Sequence, residues 1–373
     1  MVAKKATAAF FTCVRLILLA ALIPIAGYSG AASANDWQVE WDRLVAAAHK
    51  EGTLTLAGPQ TAATRRVLEK FQEAYPRIKL EYSALHGEFW QRLESERAAG
   101  VYAWDVFVGG AGAPTYDAAR KGLFVPIRAS VIRPDVYEDK YWIGGFAGGF
   151  GDNEKKHVFM FNADRMDLVS VNRSKVSERE FNSMAQLLDP RWKGQIVMMD
   201  PRQQGSGAMA LGTVQKDLGD EAARKFLTEQ DPVLTRDRRQ AAEWVVRGRY
   251  PIGLGVVSFY YAPFAERGLT KDIAFVKGVN PLVTSSSGVV TLIANAPHPN
   301  AAKVFLNWLL SRDTQEAWSK STGTNSMRAD VKPGNPAEAV SAEQFRSMPH
   351  ANTEEGAKFF FQRSGAFAQG ILK

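Results

Sequence analysis

The stretch from Thr53 to Val108 switches between two hydrophobic periods, and that switching restricts the chain to one broad class of fold. Thr53-Leu-Thr-Leu-Ala57 reads as a buried strand, Ala62 to Tyr75 as a helix closed by Pro76, and Lys79-Leu-Glu-Tyr-Ser83 as the next strand. Glu88 to Ala99 follows as a helix stopped by Gly100, and Asp105-Val-Phe-Val108 is a third strand. Strands alternating with helices through connections of this length predict a parallel sheet covered by helices. Ligands of such sheets bind outside the carboxyl ends of the strands. Two loops lie in that position, Gly58-Pro-Gln-Thr61 and Gly109-Gly-Ala-Gly112.

A second alternation follows. Trp142 to Gly151 carries five glycines and leads to the strand His157-Val-Phe-Met-Phe161, so the passage into a second domain is expected there. Gln195 to Met199 reads as strand, Ala208 to Lys216 and Ala241 to Val246 as helices, and Pro251 to Val257 as strand. Val289 to Ile293 is a return strand, and Ala301 to Ser311 is a helix with Pro299 just ahead of it. Two α/β lobes joined by crossovers leave a cleft between them.

The first 34 residues have a different character. Lys4, Lys5 and Arg15 precede an apolar stretch of 12 residues, Leu16 to Gly27, and Ala32-Ser-Ala34 supplies small residues before Asn35. A spanning helix needs about 20 apolar residues. This order is that of a cleaved secretory signal, which places the working protein in the periplasm. Its removal takes the formal charge from +7 to +4 and discards the only cysteine, Cys13. Disulfides, thiolate catalysis and zinc–thiolate sites are thereby excluded. No run of five or six basic residues occurs, so nucleic acid is not an expected partner. An apolar content of 46% supports sizeable cores,.

Leu187-Leu-Asp-Pro-Arg-Trp-Lys-Gly-Gln-Ile-Val-Met-Met-Asp-Pro-Arg202 followed by Gly205-Ser-Gly, Glu94 to Gly100 with Trp104-Asp-Val-Phe107, Phe259 to Gly268, and Asn307 to Ser311 together carry a resemblance. The chain resembles the periplasmic solute-binding proteins of ABC importers, in the ferric-iron-binding branch. The resemblance implies a two-lobed periplasmic-binding-protein fold, each lobe a mostly parallel sheet covered by helices and joined by crossover strands. It implies residues 1–34 as signal peptide, 35–145 with 286–335 as the first lobe, 146–285 as the second, and 336–373 as a helical segment on one lobe. An inner-membrane permease is the implied protein partner, a small anionic solute the implied ligand, and a monomer the implied state. No cofactor is implied.

Gln204-Gly205-Ser206-Gly207-Ala208 opens a helix, so its amides, the Ser206 hydroxyl and the positive helix end make an anion site. The plain alternative is an N-cap with turn glycines. Thr235-Arg-Asp-Arg-Arg239 opens another helix. Its charges suit a solvated face with Asp237 as cap, but the resemblance turns the stretch into the cleft, where Arg238 would offer a fork to a carboxylate or phosphate. Tyr260 and Tyr261 fall where iron-binding members use phenolate ligands, and Gln60 or Thr61 and Gly110 stand where those members carry a histidine and an acid. That substitution favours an organic or phosphate anion over ferric iron, with Gln60, Thr61 and Ser258 adding hydrogen bonds and Gly110 letting a solute approach the backbone. An exported hydrolase on the same shell is the rival of another class, but no nucleophile elbow or metal-type histidine spacing supports it.

Overall fold

The computed structural model describes residues 36–85 and 87–372. The signal segment lies outside the described residues. Among them, no helix is long and apolar enough to cross a membrane.

After helix α1 (Asp36–Glu51) come strand β1 (Thr53–Gly58), α2 (Ala62–Ala74), β2 (Lys79–Ala84), α3 (Glu88–Ala98), β3 (Val106–Gly109), α4 (Ala113–Arg120) and the short β4 (Phe124–Val125). The expected alternation is present to within a residue or two at each end. Helix α2 begins at Thr61, whose hydroxyl accepts from the Thr64 amide, and it buries Val67, Leu68 and Phe71 on one side. That spacing is the apolar stripe of an amphipathic helix. A single-turn helix α5 (Pro134–Tyr137) leads to β5 (Phe159–Met160), β6 (Asp164–Met166) and β7 (Val169–Asn172). The remaining elements are β8 (Ile196–Met199), α6 (Ser206–Leu218), α7 (Asp220–Glu229), β9 (Val233–Thr235), α8 (Arg238–Val246), β10 (Ile252–Leu254), α9 (Ser258–Ala265), β11 (Ile273–Phe275), β12 (Leu282–Thr284), β13 (Val289–Ile293), α10 (Pro299–Leu309) and α11 (Arg312–Thr322).

Two sheets organise the molecule. The first has the order β2-β1-β3-β13-β4, with β5 added to β13, and the second has the order β11-β7-β10-β8-β9. In each, a parallel set of three strands is completed by antiparallel neighbours: β13 beside β3, and β7 beside β10. Strands β6 and β12 pair antiparallel in a separate ribbon, matching Asp164 with Thr284. These are the two crossovers.

The glycine-rich segment is not the passage between lobes. Phe150 bridges Phe159, and the ring of Phe146 stacks on Phe159 at 4.7 Å, so the segment folds back onto the first sheet. The strand around Phe159 belongs to that sheet through Val289 and Val290 of β13. The chain leaves the first sheet after β5 and enters the crossover ribbon at β6, with Phe146, Phe150 and Phe159 buried together behind it.

The C-terminal segment touches both lobes. Arg363 pairs with Asp220 of α7 at 2.7 Å, while Asn352 donates to the Ala111 carbonyl at 2.9 Å and Glu354 pairs with Arg120 of α4. It also borders the crossover ribbon on both edges, with Ala339 against Asp164 and His350 against Val283.

Candidate solute site

Strands β9, β8 and β10 are mutually parallel, so their carboxyl ends share one edge of the second sheet. Each is followed by a helix that starts at that edge: α8 after β9, α6 after β8, α9 after β10. Carboxyl edges of this kind are where α/β sheets hold ligands. The first lobe presents the loops after β1 and β3. The Gln204 amide lies directly against the Cα of Gly112, where any Cβ would collide with it. The two edges therefore face one another across a cleft.

At the start of α6, Gly205 is the N-cap with φ +151°, a backbone state reserved for glycine,. A Cβ at Gly207 would run into the Met199 carbonyl, so glycine lets the helix seat directly on the end of β8. Ser206 is buried in the first turn, and its hydroxyl lies 3.0 Å from that of Tyr260. The opening amides of a helix lack intrahelical acceptors and carry partial positive charge.

Asp237 caps α8 by accepting from the Gln240 amide at 2.9 Å, as the plain reading of that run expects. Arg238 follows with its guanidinium 5.4 Å from the centre of the Tyr260 ring. Ser206, Tyr260 and Arg238, brought from three helices, thus form one continuous patch. The loops beneath them are fixed by Asp200. Its carboxylate takes 2.9 Å bonds from both Arg202 and Arg236. Burial raises the Asp200 carboxyl, but hydrogen bonds from the two arginines prevail and hold it down to about 2. This tie joins the loop before α6 to the loop before α8 and was not singled out from sequence.

The other expected contacts already have partners within the protein. Tyr261 is buried in the second lobe, its hydroxyl 2.7 Å from that of Ser170, and burial pushes its phenol well above the usual range. It is not paired with Tyr260 at the cleft, because adjacent helical residues point about 100° apart. Thr61 is occupied as the α2 cap, and Gln60 donates to the Ala84 carbonyl at 3.1 Å. Gly110 offers only backbone, abutting the Ser286 carbonyl of the second crossover. The Ser258 hydroxyl donates to the carboxylate of Glu338, a residue that sequence reasoning did not connect with the cleft.

Glu338 belongs to an acidic group at the crossover. Asp164 accepts from the Asn325 amide at 2.7 Å and from the Ser286 hydroxyl at 3.2 Å. Burial, opposed by the Asn325 amide and reinforced by the Glu338 charge, raises the Asp164 carboxyl to about 7. Among the described residues, no group of three histidine, cysteine, aspartate or glutamate side chains could hold a metal ion.

Comparisons with known proteins agree with this architecture. The chain matches the bacterial extracellular solute-binding protein family over residues 66–346. An uncharacterized protein of Haemophilus influenzae is 25% identical over 228 residues, or 58% of this chain; the chain spans 61% of that relative's length. Among solved structures, iron-bound HitA from Pseudomonas aeruginosa is 20% identical with a TM-score of 0.64, covering 86% of this chain and 99% of that one. The substrate-binding protein of an ABC transporter from Agrobacterium tumefaciens is 18% identical with a TM-score of 0.63, covering 86% and 94%. At these identities the structural likeness speaks to the two-lobed periplasmic-binding-protein fold. The family match covers most of the sequence, and the chain belongs to the bacterial extracellular solute-binding proteins.

Proposed function

We propose that the protein works in the periplasm as the binding component of an ABC importer, capturing a small anionic solute between its lobes and delivering it to the permease. A carboxylate, phosphate ester or phosphonate is the class of solute that fits. The observation that carries this reading is the convergence of Ser206, Tyr260 and Arg238 at the positive end of α6. An anion there gains amide and hydroxyl hydrogen bonds together with a guanidinium, a combination that neutral solutes do not exploit. Capture requires no bond to be broken, and Ser206 faces a phenol rather than a histidine base.

Ferric iron with an accompanying anion is the second reading, favoured by the likeness to iron-bound HitA and by Tyr260 at the cleft. The donor set weighs against it: Tyr261 faces the core, and Gln60 and Gly110 replace the expected nitrogen and carboxylate donors. A thermal-shift titration separates the two. Phosphate and organic acids should raise the unfolding midpoint by several degrees at saturating concentration. A rise with ferric iron plus anion alone, accompanied by tyrosinate colour, would replace the anion reading with the iron one.

A further inference from the structure

Helix α9 has three of its directions occupied. Ser258 reaches Glu338 beside the crossover, Tyr260 reaches Ser206, and Tyr261 is turned into the second lobe against Ser170. Phe259 takes the remaining direction. Successive side chains on a helix diverge by about 100°, so Phe259 projects between Ser258 and Tyr260 and away from the core face that Tyr261 marks. It is 70% exposed, more than any other large apolar side chain among the described residues. An isolated exposed phenylalanine needs no explanation. This one sits in the first turn of a helix at the ligand edge of the sheet, with its ring centre 6.4 Å from that of Tyr260 at 65°. Arg238 lies over the Tyr260 ring. The Tyr260 ring thus has a cationic neighbour, Arg238, and a purely apolar one, Phe259.

We infer that Phe259 is a specificity-determining residue that receives a flat apolar portion of the solute, and that the solute is an aromatic carboxylate whose charged head lies toward Arg238 and Ser206. The inference rests on the anion reading above and narrows it. A phosphate or short aliphatic acid would leave Phe259 in water after closure. A benzoate-like solute covers the ring while keeping its carboxylate toward Arg238. Offset or edge-to-face contact with Phe259 adds to the area removed from water.

Calorimetric titration of the protein with benzoate, acetate and inorganic phosphate tests this. Benzoate should bind at least about tenfold more tightly than acetate. Phe259→Ala should reduce that advantage to under about threefold while leaving acetate and phosphate unchanged, and Phe259→Tyr should retain it. Because Phe259 is exposed, neither change should move the unfolding midpoint. Equal affinity for benzoate and acetate, a benzoate advantage that survives Phe259→Ala, or no benzoate binding at millimolar concentration would each overturn the inference. Failure of the underlying anion reading looks different: Arg238→Ala would then leave all three titrations unchanged.

Discussion

The two cleft edges are built from opposite materials. On the first lobe, Gln60 is bonded to the Ala84 carbonyl, Thr61 is spent as a cap, and Gly110 and Gly112 carry no side chain. On the second, Ser206, Arg238, Phe259 and Tyr260 project from three helix starts. On the anion reading proposed above, the second lobe would supply the side-chain contacts and the first lobe mainly backbone. A trap divided in this way can change its solute by altering one lobe while the closing surface stays the same.

The largest expected effect concerns the joint between these two edges. Asp164 retains its proton up to about pH 7 in the folded protein, whereas in the unfolded chain it ionises near the ordinary value of 3.8. The folded state therefore holds an extra proton in that interval, and stability should fall as pH rises from about 4 to 7, by roughly 4 kcal/mol at most. Urea midpoints at pH 5 and 8 measure this, and Asp164→Asn should flatten the difference. A wild-type midpoint that rises over the same range would show that the crossover carboxylates are not buried as described.

Next comes the chemical lobe itself. Arg238→Ala should weaken anion binding by about 2 kcal/mol, some thirtyfold, with the unfolding midpoint unchanged. An equal loss from Gln60→Ala would break the contrast between the edges. The covering lobe is tested through Gly112. Its extended backbone tolerates alanine, but the new methyl would meet the end of the exposed Gln204 side chain and displace it from its place against the first lobe. Gly112→Ala should cost about 1 kcal/mol of binding, and adding Gln204→Ala should restore it. Persistence of the defect in the double variant would exclude that contact as the cause. The smallest effect is expected at Tyr261→Phe, which removes one of two bonds of the Ser170 hydroxyl, the other going to the Gly253 carbonyl, and should lower stability by no more than about 1 kcal/mol while leaving every anion titration unaltered,.

Period and punctuation made most elements readable, because strand and helix spacing are local properties and α2 and α10 carry them clearly. The direction of α9 was not readable in the same way. Ser258-Phe-Tyr-Tyr-Ala-Pro-Phe-Ala265 is apolar nearly all round, so no stripe distinguishes the buried Tyr261 from the cleft-side Tyr260. Partners far apart in sequence were equally hidden. The contact of Ser258 with Glu338 spans 80 residues, and the tie from Asp200 to Arg236 spans 36. The glycine run misled for a related reason: composition signals a bend, but the aromatic rings on either side decide where the bend packs.

The crossover ribbon has one further consequence. A pair of strands alone would bend and also twist, leaving the lobes several ways to come together. Ala339 lies along one edge of this pair and His350 along the other, with main-chain bonds of 2.8 and 2.9 Å between Val283 and its neighbours Pro349 and Ala351. Widening a ribbon stiffens it against torsion far more than against flexing across its thin direction. The two crossover strands are thus held edge to edge by the C-terminal segment, and a ribbon so widened resists twisting between the lobes more than flexing.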